Sequence, residues 1–248
     1  MIKIYSEQEI EIMRQGGKML ADIMKKLKKE TKPGVTTNYL NKVAKDLVFS
    51  ARINPSFLGF NGYPTVLCTS INEEIVHAVP SKRILKNGEI LSLDLGVKYK
   101  NYHTDMAITI PVGKVDKKTK KLIKVTKKAL ELGIEQVKAG NYLGDIGYAI
   151  QEYVEKNGFN VVRELVGHGV GKKVHEDPQI PNYGKKGTGI ELVEGMVLAI
   201  EPMITIGDWR IKKCDDGFGY KTADNNLSCH FEHTIAITKK GPEILTRF

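Results

Sequence analysis

No apolar run in this chain of 248 residues is long enough to span a bilayer. The opening Met1-Ile2-Lys3-Ile4-Tyr5 leads into polar, helix-like sequence and lacks the apolar core of a signal peptide. Cysteine is scarce: Cys68, Cys214 and Cys229 are odd in number, far apart and form no Cys-x-x-Cys pair. That argues against a disulfide framework and for reduced thiols in a cytoplasm. No linker or low-complexity stretch divides the chain. Familiar phosphate motifs are missing too. Gly167-His168-Gly169-Val170-Gly171 is not a dinucleotide fingerprint, because the third glycine would have to fall at Lys172, and no phosphate-loop Gly-Lys-Ser/Thr follows. His175-Glu176-Asp177-Pro178 is not the zinc-protease helix motif, because residue 179 is Gln179 and Pro178 would break that helix.

The composition, 41% hydrophobic and 27% charged, is that of a soluble globular protein, and the length suffices for a sizeable core. Much of the net charge of +9 comes from Lys25, Lys26, Lys28 and Lys29, and from Lys117, Lys118, Lys120, Lys121, Lys127 and Lys128. These lie in helix-like segments and read as solvated faces, a polyanion such as RNA being the sharper alternative. No nucleic-acid-binding motif accompanies them. Ser6-Glu7-Gln8-Glu9 reads as a capping box opening a helix that stops before Lys32-Pro33-Gly34. A second helix starts near Thr36 or Thr37. A third runs from around Asp116 towards Gly140, and a fourth from Leu143 to Asn157. Strand-like sequence fills residues 65–112 and dominates from Val161 onwards.

Five residues of metal-ligand type sit in apolar or glycine-rich surroundings: Asp94, Asp105, His168, Glu201 and Glu232. Asp94 lies within Ile90-Leu91-Ser92-Leu93-Asp94-Leu95-Gly96, and Glu201 follows Met196-Val197-Leu198-Ala199-Ile200. Carboxylates are depleted from strands and almost never fully buried unless paired, so four of them together call for cations. The segments also repeat. Gly88 to Asp94 and Gly195 to Glu201 share one spacing, and each is followed by a second carboxylate opening an aliphatic, threonine-containing strand, at Asp105 and Glu232. Two related halves about a pseudo-two-fold axis, each delivering two carboxylates, account for this; coincidence between short apolar strands is the competing explanation. A tight turn centred on Tyr99 and Lys100 would set Asp94 directly opposite Asp105, with Cβ atoms about 5 Å apart. The glycines around His168 let backbone approach something closely. His77 reads as a core or loop histidine as readily as a catalyst. His103, His230 and His233 read as structural or solvent-facing, with His230 on the strand face of Glu232.

Taken together, these residues resemble the type I methionine aminopeptidase family of pita-bread metallopeptidases. The resemblance spans nearly the whole chain from Ser6. It rests on Gly167-His168-Gly169-Val170-Gly171 with His175-Glu176-Asp177-Pro178, on Glu201-Pro202, on Phe231-Glu232-His233-Thr234, on Ser70-Ile71-Asn72-Glu73-Glu74 leading to His77, and on Asp94 with Asp105. It implies an α+β pita-bread fold: two related α/β halves about a pseudo-two-fold axis, with a curved antiparallel sheet backed by helices. One catalytic domain spanning 1–248 is expected, its halves being about 1–112 and 113–248. The resemblance further implies that Asp94, Asp105, His168, Glu201 and Glu232 hold two divalent metal ions. Oxygen-rich ligation with one imidazole suits Co, Mn, Fe or Zn. Glu201 is implied as general base, with His77 and His175 beside the scissile peptide. Phe60, Tyr63, Cys68 and Phe218 fall where the family lines its methionine pocket. Ala78, Val174, Phe60 and Phe218 depart from the residues usual there, but all stay apolar. The implied activity is removal of initiator methionine from nascent polypeptides, favouring small second residues. Alternatives are an Xaa-Pro aminopeptidase or prolidase, and a non-catalytic peptide- or ribosome-binding protein. A cytoplasmic monomer with no membrane partner is expected, with transient ribosome association as a further possibility.

Overall fold

The computed structural model describes residues 2–248. Helices α1 (Glu7–Glu30) and α2 (Thr37–Ser50) precede strands β1 (Asn54–Pro55), β2 (Cys68–Ile71), β3 (Glu74–Val76), β4 (Ile90–Tyr99) and β5 (Tyr102–Pro111). A second helix pair, α3 (Lys117–Glu135) and α4 (Leu143–Lys156), precedes β6 (Asn160–Val161), β7 (Gly167–Gly169), β8 (Glu176–Ile180), β9 (Val197–Ile200) and β10 (Met203–Thr205). Then come β11 (Ile211–Lys213), β12 (Tyr220–Thr222), β13 (Ser228–His230), β14 (Glu232–Thr238) and β15 (Gly241–Ile244). Helix starts follow the expected caps: Ser6 and Glu9 form a reciprocal box, while Thr36 and Asp116 accept the backbone N–H of Tyr39 and Thr119. The third helix ends at Glu135, short of Gly140, yet Val137 beyond its end is still fully buried. Nearly all of the lysines on α1 and α3 are exposed, as solvated faces should be. No helix among the described residues is long and apolar enough to cross a membrane.

The main sheet runs β1-β4-β5-β14-β9-β7-β8, with β2 also beside β4 and β15 also beside β14. Every pairing in it is antiparallel. Along β4, Leu91, Leu93, Leu95 and Val97 join the core beneath all four helices, while Ser92, Asp94 and Gly96 alternate onto the other face. This two-sided burial explains why β4 reads as almost continuously apolar.

The centre of the sheet is its pseudo-two-fold axis, between β5 and β14. Glu232 lies opposite Ala107. The symmetric counterpart of that pair is Asp105 against Thr234, and it is found: Thr234 Oγ1 accepts from Asp105 N at 2.8 Å and donates to the Asp105 carbonyl at 2.9 Å. The pair of strands β4 and β5 thus corresponds to β9 and β14, which is the pita-bread arrangement of two related halves.

One expectation is corrected. The β4–β5 hairpin turns on Lys100 and Asn101, both at positive φ (45° and 68°), and Tyr99 pairs with Tyr102. Two successive left-handed residues match the strand twist, and asparagine tolerates that region well. The turn therefore sits one residue later than anticipated. Asp94 faces Ala107, and Asp105 faces Gly96. The two aspartates are diagonal neighbours on one face, not direct partners.

Replacing Thr234 with valine keeps the shape but strands the Asp105 backbone groups. Thr234→Val should destabilise the protein by about 1–3 kcal/mol in denaturant titrations. An unchanged midpoint would show that the axis bond contributes nothing.

Candidate metal centre and substrate pocket

The register alone gathers the five candidate ligands. Gly96 opposes Asp105, so Asp94, two residues from Gly96, shares its face. Glu232 opposes Ala107, two residues from Asp105. Thr234 opposes Ala199, and so does His168 from the other side; Glu201 stands two residues beyond Ala199. Asp94, Asp105, His168, Glu201 and Glu232 therefore all project from one face of the sheet. A Cβ on Gly169 would strike the Asp177 carbonyl, so the glycine lets β7 lie tightly against β8.

All four carboxylates are buried, between 2% and 9% exposed. Burial is the largest cause lifting each pKa; it raises Asp94, Glu201 and Glu232 well above the usual carboxylate range, with the Asp105 charge adding to each. Asp105 is pushed up to about 7, burial being partly offset by the Met106 N–H bonded to its Oδ1. Asp94 Oδ1 and Glu232 Oε1 have no hydrogen-bond partner despite full burial. Ligand atoms of Asp105, His168 and Glu232 lie within 4.8 Å of one another. His168 Nδ1 stands 2.9 Å from the Gly169 carbonyl, which assigns the ring proton to Nδ1 and leaves Nε2 as a donor to metal, 3.5 Å from Glu201 Oε1. Burial pushes the His168 pKa down to about 3, keeping the ring neutral. Orphaned oxygens, converging negative charge and a neutral imidazole fit divalent cations.

The cluster lines a cavity of about 160 Å³. Phe60, Tyr63, Cys68 and Phe218 line the same cavity, together with His77 and His175. Tyr63 packs edge-on to Phe218, 5.4 Å between centroids, and its hydroxyl donates to the Ala78 carbonyl at 3.2 Å. Phe60 packs edge-on to His175 at 5.2 Å, and His175 meets His168 at 4.3 Å. Cys68 stands directly opposite Asp94 across β2 and β4, and burial holds its thiol protonated. Val174 fills space beside Tyr63 and Cys68 where an aromatic was the usual residue. A wider groove of about 810 Å³ shares His77, His168, His175 and Glu201 with the cavity and continues past Leu165, Lys172, Lys173 and Gln179. His77 holds φ of 60°, a left-handed conformation costly for a non-glycine residue and commonest where geometry serves function.

Three participants were not singled out from the sequence. Phe57 and Asn61 complete the cavity wall, and the Asn182 side chain donates to the Glu201 carbonyl at 3.1 Å. His230, placed only as a strand neighbour of Glu232, has its Nε2 3.4 Å from Glu201 Oε2, and neither ring nitrogen has a hydrogen-bond partner. His103 turns away to Ser56, and His233 to Thr246.

The family model described as Metallopeptidase family M24 matches residues 11–239. A methionine aminopeptidase of Clostridium perfringens is 46% identical over 99% of both chains, and methionine aminopeptidase 1 of Bacillus subtilis is 47% identical over the full length of both. The crystal structure of methionine aminopeptidase from Rickettsia prowazekii superposes with a TM-score of 0.98, at 43% identity, covering all of each chain. Fold and donor set thus define a metal-dependent peptide hydrolase. The chain belongs to metallopeptidase family M24.

Chelating divalent cations should lower the melting temperature. In the metal-free protein the raised carboxylates bind protons that the unfolded chain has already released, so stability should fall as pH rises from about 4 to about 8. Thermal melts in chelator across that range check the sign; melting temperatures that climb with pH would contradict it.

Proposed function

We propose that this protein removes N-terminal methionine from nascent polypeptides by hydrolysing their first peptide bond. The observation that carries the reading is adjacency. One small cavity is lined both by buried acidic ligands and by soft apolar groups. The free α-amine of a substrate is attracted to the acidic ligands. Its side chain packs against Phe57, Phe60, Tyr63, Cys68 and Phe218, where sulfur–aromatic contacts contribute about 0.3–1.5 kcal/mol for a thioether. Both sets of groups are served only when the residue is the first of its chain.

Asp94, Asp105, His168, Glu201 and Glu232 would hold two divalent cations, drawn from Co, Mn, Fe and Zn, whose charge of +4 matches four carboxylates. Such cations, when bound, make water a nucleophile near neutral pH and draw electron density from the carbonyl. Glu201, set between His168 and His230, takes the proton of the attacking water. His175, lining the same cavity, donates towards the carbonyl oxygen as it gains charge, and His77 binds the scissile amide or the following residue. The second residue is placed beside these histidines, where small side chains are favoured. The catalytic unit is one domain over 1–248, its halves meeting near residue 112. It acts as a cytoplasmic monomer, and the lysine faces of α1 and α3 offer a transient contact with ribosomal RNA.

Metal-loaded protein should cleave Met-Ala-Ser and leave non-methionyl Xaa-Pro peptides intact; the reverse preference identifies an Xaa-Pro hydrolase. Glu201→Gln should lower kcat by at least roughly a hundredfold. Equal, background-level cleavage by wild type and variant would make the protein a binding module. Co-sedimentation with ribosomes should weaken steeply with added salt, and no binding at low salt removes the ribosome contact.

A further inference from the structure

His175 ends a loop, Gly171–His175, that has neither helix nor strand. Lys172, Lys173 and His175 are solvent-exposed, while Gly171 and Val174 are buried. What ties this loop down on its other side is a residue far away in sequence. The Tyr5 hydroxyl donates to Glu176 Oε2 at 2.8 Å and accepts from Lys172 N at 3.0 Å. The second oxygen of Glu176 accepts from Lys173 N at 2.8 Å. One phenol and one carboxylate thus close residues 172–176 into a ring around His175.

Tyr5 is itself rigidly held. Its N–H donates to the Gly195 carbonyl at 2.8 Å, and its ring is 6% exposed and packs edge-on to Tyr102. Tyr102 is fixed in turn by Glu9, and Lys172 Nζ lies 3.7 Å over the Tyr102 ring. A side chain at Gly171 would collide with the Tyr5 phenol, so the glycine is the space into which the hook fits. The segment leading into the first helix thereby grips the loop of the second half that reaches the substrate.

We propose that Tyr5 is a positioning residue that acts through Glu176 to aim the His175 imidazole at the scissile peptide. This rests on the role given to His175 above. A hydrogen bond to a charged carboxylate is among the stronger ones, and it acts on the backbone next to the imidazole. Small misplacement of a group that touches the reacting atoms costs rate more than affinity.

The test uses the full chain loaded with Mn²⁺ and Met-Ala-Ser as substrate. Tyr5→Phe should melt within about 4 °C of wild type, lose roughly tenfold in kcat and change KM by less than about twofold. On a His175→Ala background the same substitution should cost nothing further. Glu176→Ala should match Tyr5→Phe, while Glu176→Gln, which keeps one oxygen acceptor, should recover most of the rate. An unchanged kcat in Tyr5→Phe overturns the proposal, and so does an equal loss with and without His175. In protein loaded with diamagnetic Zn²⁺ the His175 imidazole resonance reads placement without turnover: Tyr5→Phe should shift and broaden it, and an unmoved resonance overturns the proposal too. Wild-type protein that cleaves no methionyl peptide sinks the assigned activity instead, leaving the resonance to decide on Tyr5.

Discussion

Four carboxylates buried on one face of a sheet are the constraint around which this protein is built. In an apolar environment each prefers to be protonated, and the charge of Asp105 raises the pKa of the other three. Among the described residues no arginine or lysine pairs with them, and two of their oxygens have no partner. The unmet charge is the driving force for taking up divalent cations. The rest of the structure holds the carboxylates in place against their own repulsion. The apolar stripe of β4 faces the helices, and Thr234 locks the Asp105 backbone at the centre.

The pseudo-two-fold axis divides that burden. Each half supplies one carboxylate from an inner strand beside the axis and one from the strand next to it, so neither half concentrates all the charge. Symmetry also leaves an asymmetric remainder. His168 enters from β7, beside Ala199, while the equivalent strand of the first half, β2, brings Cys68 opposite Asp94. One half therefore contributes an imidazole to the cluster and the other a small apolar thiol to the pocket. The mixed polar and apolar lining of the cavity reflects that difference.

Much of this was legible in the sequence, for physical reasons. Asp94 stood out because every second residue around it is leucine, which fixes the opposite face as core. The helix starts were legible because Ser6, Thr36 and Asp116 carry the chemistry of a cap. The hairpin was misplaced by one residue because Lys100 and Asn101 lack the glycine that usually marks a left-handed turn. That single step separates direct from diagonal pairing of the two aspartates. Phe57 and Asn182 were not legible at all, and His230 only as a strand neighbour of Glu232: each matters through a neighbour distant in sequence. The glycines around His168 announced close approach, but not that Tyr5 would be what approaches Gly171.

Two connected spaces meet at the acidic cluster. A cavity of about 160 Å³ sets the apolar side chains of Phe57, Tyr63 and Cys68 beside the carboxylates. A larger groove of about 810 Å³ shares His77, His168, His175 and Glu201 with it and is lined further by Leu165, Lys172, Lys173 and Gln179. The smaller space suits one side chain and the larger one the chain that follows it. His77 and His175 stand where the two spaces meet, one held in a strained backbone conformation and the other by a loop tied at both flanks. Both histidines thus stand beside the acidic cluster, which is the placement the proposed hydrolysis requires.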